Sequence, residues 1–262
     1  MIDLDYSVTG HAENHTPVLI LHGLFGSQKN WNSITKKLAQ KHSVITVDLR
    51  NHGQSPHTST MSYPEMATDI IQLLDKLDYD QVTLLGHSMG GKVVMTCALE
   101  FPDRIKALCV ADIAPVGYKH EFDQIISALQ ALPLNKIKSR SDADQFLTTT
   151  IEQTLLRQFL LQNLIKEGDQ FSWRINLEAI QREMPKITGF PENTANKSFA
   201  KNTLFIRGAN SDYVAPKYHS MIKKYFPVAS ITTLPDCGHW LHAEQAGHFY
   251  DSLIEFLDEN AN

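Results

Sequence analysis

Ser88 stands in Gly86-His87-Ser88-Met89-Gly90, directly after the run Gln81 to Leu85 and directly before Gly91. The G-x-S-x-G spacing, between a strand and a helix, puts a serine hydroxyl on a sharp, strained turn at the top of a sheet. A residue held in a sparsely populated backbone region needs neighbours with almost no side chain, and Gly86, Gly90 and Gly91 meet that need. A chance match in a glycine-rich loop would have no strand before it and no helix after it. The chemistry such a turn serves is nucleophilic attack.

A serine hydroxyl is a poor nucleophile near neutral pH, so it needs a base within hydrogen-bond reach and a third group to orient that base. His239, in Asp236-Cys237-Gly238-His239-Trp240, follows the last strand signal. It therefore fits the chain order Ser, acid, His that accompanies this elbow. Position, rather than residue type, selects it among twelve histidines. His242 and His248 lie on the following helix and read as structural. The acid is open at this point: Asp112 ends one strand and Asp212 follows another, and either can aim a carboxylate at His239. Asp236 is disfavoured, being three residues before His239 and obliged to fold back along the same loop.

Attack on a carbonyl creates an oxyanion that needs backbone N–H donors fixed in advance. Met89, directly after the nucleophile, is expected to supply one, and Leu24 of the loop His22-Gly-Leu-Phe-Gly26 the second. His22 reads as a brace for that loop. The loop Asp48-Leu-Arg-Asn-His-Gly-Gln-Ser55 offers Arg50 and His52 for recognising a polar part of a substrate. The stronger reading is structural, with Asp48 and Arg50 bracing the oxyanion loop through buried polar contacts, because buried charges are normally paired.

These residues need a scaffold, and the chain supplies its signals in order. Short apolar runs recur at Pro17 to Leu21, Val44 to Asp48, Val82 to Leu85, Ala107 to Ala111, Leu204 to Arg207 and Ser230 to Leu234. Runs apolar on both faces are expected of parallel strands buried between two helix layers. Between them Trp31, Ile34 and Leu38 recur at helical spacing. Ser62-Tyr-Pro-Glu65 is a capping box opening a helix with Met66, Ile70, Leu73, Leu74 and Leu77 on its apolar face. The final segment, His242 to Leu257, carries Phe249, Leu253, Phe256 and Leu257 on one core-facing stripe. The fold class is α/β, a mostly parallel sheet flanked by helices.

Strand signals fade between about Ala114 and Lys201, where helical segments such as Glu121 to Leu132 and Glu152 to Lys166 are predicted. This divides the chain into a core of 1–113 and 202–262 and an inserted helical cap, 114–201. The cap is placed over the carboxyl ends of the strands, where open α/β sheets bind ligands. Ile125, Leu129, Phe146, Leu155, Phe159 and Trp173 are expected to pack the cap, and some to line an acyl pocket.

The 262 residues carry 24 basic and 29 acidic side chains, a net charge of −5, which argues against a nucleic-acid surface and for a small-molecule substrate. Cys97, Cys109 and Cys237 are odd in number and form no CxxC pair, so they read as reduced thiols. Met1 to His15 has no basic region followed by a long apolar one, so no secretory signal is read there. No stretch approaches the ~18 apolar residues of a membrane span. A cytoplasmic location is the expectation.

Taken together, HGLFGS at 22–27, DLRNHGQS at 48–55, GHSMGG at 86–91, DIAPV at 112–116, GANSDYV at 208–214 and CGHW at 237–240 resemble the α/β-hydrolase superfamily, and within it the small YbfF-type bacterial esterases. The resemblance runs over the whole chain and is weakest in the insertion. In many α/β hydrolases the acid stands three residues after the glycine that ends the seventh strand, a place held here by Ser211, with Asp212 one further on. In the YbfF-type esterases the acid follows the sixth strand, which maps to Asp112, and a serine matching Ser211 joins the network as a fourth member. The resemblance thus implies Asp112, with Asp212 the alternative.

What it implies about function is a serine esterase acting through an acyl-enzyme on short to medium acyl esters, and on acyl-CoA thioesters whose phosphates would meet cap lysines and arginines. No metal or organic cofactor is expected. One alternative uses the same three groups for C–C bond hydrolysis or proton abstraction. Another is a non-catalytic, ligand-binding member of the fold. Haloalkane dehalogenases and soluble epoxide hydrolases carry aspartate at the elbow, where this chain has Ser88.

Overall fold

The apolar runs become strands of a seven-stranded sheet in the computed structural model, which describes residues 2–11, 16–119, 122–168 and 170–260. The chain enters through β1 (Tyr6–Thr9) and β2 (Val18–Leu21), then forms α1 (Asn32–Leu38), β3 (Val44–Val47), α2 (Tyr63–Lys76) and β4 (Val82–His87). Next come α3 (Met89–Glu100) and β5 (Ile105–Ala111), with Asp112 directly after. The strand order is β1-β3-β2-β4-β5 followed by β8 (Thr203–Gly208) and β9 (Ser230–Leu234). All neighbours are parallel except β1, which pairs antiparallel with β3.

Alternation along each strand sends side chains to two cores. Leu19, Leu21, Ile45, Val47, Leu84, Leu108 and Phe205 face the layer that contains α2 and α3. Val18, Ile20, Val44, Leu85, Cys109 and Leu204 face Trp31, Ile34 and Leu38, together with Phe249, Leu253, Phe256 and Leu257. Each fully buried aliphatic side chain contributes about 1.5–3 kcal/mol. Double-sided burial holds for the inner strands only: β9 is an edge strand, half-open along most of its length. Edge strand β1, largely exposed, gave no apolar signal to read. The Ser62–Glu65 capping box forms, with Ser62 N–H and Oγ both donating to Glu65 Oε2 at 2.9 and 2.6 Å.

Between β5 and β8 lie α4 (Phe122–Gln130), α5 (Arg140–Leu147), α6 (Thr154–Leu160), a hairpin of β6 (Leu164–Glu167) and β7 (Gln170–Trp173), and α7 (Leu177–Thr188). The start of the first predicted helix, Glu121, lies outside the described residues, as do Met1 and residues 12–15 of the N-terminal stretch. The helix predicted to run to Lys166 stops at Leu160, Leu161–Asn163 tighten into a 3-10 turn, and the remainder enters β6, with Gly168 at φ +62° taking the turn. Four-residue strands are too short for periodicity to register. After β8 come α8 (His219–Tyr225), β9, α9 (Leu241–Glu244) and α10 (Ala246–Glu259), so the final helix is two helices broken at Gln245.

The loop after β3 shows what Arg50 does. Its Nε and Nη2 donate to Asp69 Oδ2 and Oδ1 of α2 at 2.7 and 2.9 Å, with both side chains buried. Arg50 therefore ties its loop to α2 rather than bracing the oxyanion loop. Asp48 does the bracing, accepting Gln28 N–H at 2.7 Å and Gln54 N–H at 2.9 Å. Removing Asp69 leaves the buried Arg50 guanidinium with only the partly exposed Glu65 carboxylate, 3.4 Å from Nη1, and Thr60, and breaking a buried pair costs up to about 3–5 kcal/mol. Asp69→Ala is expected to lower the unfolding free energy by about that much in urea denaturation, and Arg50→Met/Asp69→Leu to recover most of it. A loss under about 1 kcal/mol in the single variant would rule out this role for the pair.

Candidate active site

Ser88 is the turn between central strand β4 and α3. Its φ of 52° and ψ of −117° lie outside the regions that non-glycine residues favour. The strain is held by tight backbone packing: a Cβ on Gly86 would fall 2.2 Å from Gly90 O. Ser88 N–H donates to Ala111 O at 3.0 Å, fixing the elbow to the end of β5.

His239 Nε2 lies 2.9 Å from Ser88 Oγ, and His239 Nδ1 lies 2.8 Å from Asp112 Oδ2. With Asp112 as acceptor, the Nδ1 atom carries the proton and Nε2 is free to accept one from the serine. Asp112 is 0% exposed and, like Ser88 and Phe25, has a left-handed backbone, with φ +50°. Its carboxylate also accepts Gly208 N–H at 3.1 Å on Oδ1 and the Ser211 hydroxyl on Oδ2. The structure thus brings Ser88, His239, Asp112 and Ser211 together, while Asp212 and Asp236 are exposed. Because β8 separates β5 from β9, the loop carrying His239 must cross the end of β8. Gly208 allows this, since a Cβ there would sit 2.2 Å from Gly238 O.

Met89 and Leu24 N–H groups meet no protein acceptor among the described residues, whereas Phe25 N–H is taken by His52 Nε2 at 3.1 Å. The loop before them is set by two buried histidines. His22 Nε2 accepts Leu49 N–H at 3.0 Å while its Nδ1 faces Gly23 O at 2.8 Å. His52 Nδ1 faces Arg50 O at 3.1 Å. Each ring must accept at Nε2 and donate at Nδ1, which only a neutral imidazole does. Burial pushes the His22 pKa down to about 4 and that of His52 to about 3.

The insertion touches this loop directly. Asn163 Nδ2 donates to Phe25 O at 2.8 Å, the Phe25 and Phe122 rings meet edge-on at 6.2 Å, and Phe159 lies 6.2 Å from Trp240, the neighbour of His239. Lys92, one turn past Ser88 and 2% exposed, donates to Thr188 O at 2.9 Å and Gly189 O at 2.5 Å, at the C-terminal end of α7. The Tyr118 ring lies 4.9 Å from its ammonium, and burial pulls the Lys92 pKa down to about 7. Sequence reading missed this lysine because a charge inside an apolar helix gives no periodic signal.

It missed Tyr213 as well, whose ring lies 4.3 Å from that of His239. Among the residues expected to pack the insertion, Leu155 is 78% exposed and Phe146 is exposed too, so neither belongs to its core. Arg140 and Arg157 are engaged by Leu164 O and by Asp144 within the insertion. Cavities of about 430 and 320 Å³, one beside Trp173 and one beside Gln28, include none of Ser88, His239 or Asp112 in their linings.

A family model described as alpha/beta hydrolase fold matches residues 16–246. The chain is 39% identical to the sn-1-specific diacylglycerol lipase ABHD11 of Mus musculus, covering 98% of this chain and 85% of that one. It is 35% identical to esterase YbfF of Escherichia coli, covering 95% and 96%. A solved marine microorganism esterase superposes with a TM-score of 0.93 at 36% identity, over 98% of this chain and 100% of its own.

The two neutral histidines predict an acid weakness. Their folded pKa values lie below the ~6.5 of an unfolded histidine, so unfolding takes up protons below that pH. Stability is fully present above about pH 6.5 and falls toward pH 4 for His22 and pH 3 for His52, by roughly 2.5 kcal/mol per ring at pH 4.5. Urea midpoints should drop over this range, and His52→Gln, which cannot titrate, should flatten the slope by about one proton. An unchanged slope would mean that His52 is not held neutral.

Proposed function

This chain belongs to the α/β-hydrolase-fold family, and on that premise we propose that it is a serine hydrolase of carboxylic esters, of esterase or lipase type. The observation that carries the reading is the hydrogen-bonded chain from Ser88 Oγ through His239 to Asp112, at 2.9 and 2.8 Å. In this reading His239 Nε2 takes the Ser88 proton as Oγ adds to the ester carbonyl, and the Leu24 and Met89 N–H groups hold the oxyanion. The proton passes from His239 to the departing alkoxide, leaving an acyl-serine. Water, deprotonated by His239, then adds to that acyl group, and collapse releases the carboxylic acid and returns the proton to Ser88.

Asp112 holds the Nδ1–H tautomer and supports the imidazolium, with Ser211 as a fourth member of the network. Residues 114–201 serve as a cap, a role supported by the contacts of Asn163, Phe122 and Phe159 around the oxyanion loop and Trp240. The substrate class is short to medium acyl esters, with thioesters open to the same acyl-enzyme chemistry. Three buried thiols without disulfides fit a reducing, cytoplasmic setting. Among the described residues no helix is long and apolar enough to cross a membrane.

Hydrolysis of p-nitrophenyl esters from acetate to palmitate, with an acyl-CoA series beside it, tests the proposal. Ser88→Ala should abolish turnover, and Asp112→Asn should lower kcat by about two to four orders of magnitude with the protein still folded. Full activity in Asp112→Asn would move the acid to Asp212. A folded wild type that is labelled by a fluorophosphonate yet turns over no ester would favour C–C hydrolysis, and one that is not labelled would favour a binding role.

A further inference from the structure

His87 occupies the position between the elbow's first glycine and Ser88, and its side chain is buried where three loops meet. Its Nε2 lies 2.7 Å from the main-chain oxygen of His239. A carbonyl can only accept, so Nε2 carries the proton and His87 donates. On its other side, a Cβ on Gly23 of the oxyanion loop would come within 3.0 Å of His87 Nδ1 and 3.3 Å of Ser88 Cβ. The His87 ring also lies 4.7 Å from that of His239 and 4.6 Å from that of His242. Burial, reinforced by these two imidazoles, holds the His87 pKa well below the ordinary histidine value. The ring is therefore neutral and adds no charge beside His239.

The main chain around His239 is held from a second direction. Glu244 Oε2 accepts Gly238 N–H at 2.7 Å, and its Oε1 accepts Trp240 N–H at 3.2 Å. Cys237 O accepts Asn210 N–H at 2.9 Å. Each residue from Cys237 to Trp240 thus has a main-chain group tied, and the tie at His239 itself comes from the residue next to the nucleophile.

We propose that His87, with Glu244 opposite it, is the positioning residue that sets the His239 imidazole relative to Ser88. The inference rests on the esterase reading above. Through His87, any displacement of the end of β4 carries Ser88 and the His239 peptide together, so the 2.9 Å contact between them survives. A misplacement of about 1 Å costs on the order of a hundredfold in rate. A group that only stabilised the fold would change melting temperature without separating kcat from KM.

The experiment compares His87→Leu, His87→Gln and Glu244→Ala in p-nitrophenyl ester kinetics and in the rate of Ser88 labelling by a fluorophosphonate. The expectation for His87→Leu is a fall in kcat and in labelling rate of about tenfold to a hundredfold, with KM within about threefold. His87→Gln, whose amide can still donate, should recover most of it. A loss under about threefold in His87→Leu, or a glutamine no better than leucine, overturns the proposal. Should His87→Leu fail to fold, the exposed Glu244→Ala variant decides. A lower kcat at unchanged KM supports the clamp, and an unchanged kcat overturns it. Nitrogen-15 shifts of His87 in the unaltered protein separate the two readings. Protonation at Nε2 supports the clamp even if no ester is turned over, an outcome that would sink the esterase reading alone, whereas protonation at Nδ1 overturns the clamp.

Discussion

A carboxylate with no access to solvent sets the terms for the rest of the site. Asp112 is buried at the end of β5, and an isolated charge there would carry a large desolvation cost. Three donors offset it: Gly208 N–H, the Ser211 hydroxyl and His239 Nδ1–H. Two of these come from β8 and the loop beyond it, and the third comes from the loop after β9. The carboxylate therefore draws three strand ends into one place. Satisfying it is the same act as orienting the imidazole, because the third donor is the imidazole itself.

Close backbone approach makes that convergence possible. Strands in a sheet are about 4.8 Å apart, so a loop leaving β9 reaches β4 only by passing over the ends of β8 and β5. Gly208 removes the side chain that would stand in the way, and Gly86 does the same where the elbow folds back on α3. The backbone of the oxyanion loop is then fixed by His22 and His52, whose rings act as neutral, two-ended connectors between main-chain groups. Rigid carbonyl and amide positions, rather than long polar side chains, surround the Ser88 hydroxyl.

How much of this could be read in the sequence follows from the range of each interaction. The elbow was legible because strand, glycines, serine and helix are contiguous, and the inner strands because burial on both faces leaves an unbroken apolar run. The edge strand β1 and the hairpin β6–β7 were not, being short and open to water. Residues alone left the acid undecided, since Asp112 and Asp212 both follow strands. Only the lateral order of β5, β8 and β9 brings the first of them to His239. His87 was hidden in plain view inside the motif: the bond that gives it a role spans 152 positions. The stretch between β5 and β8 showed in the sequence as an interruption of the strand rhythm, whereas the burial of Lys92 against the end of α7 depends on contacts no local pattern carries.

Under the proposed reading, the pairing of Asp112 with Ser211 accounts for an acid that follows β5 rather than β8. The Ser211 hydroxyl bonds the same Oδ2 atom that His239 meets, so a carboxylate at 211 would face that of Asp112 at hydrogen-bond range. Two carboxylates that close cannot both ionise without a large shift in one of them. A neutral donor at 211 is thus the complement of an acid at 112, and the two positions form one choice. With the acid directly after β5, the residue after β8 contributes most as a hydroxyl that satisfies a buried charge. Moving the acid would then take two coordinated changes: a carboxylate gained after β8 and the one at 112 removed.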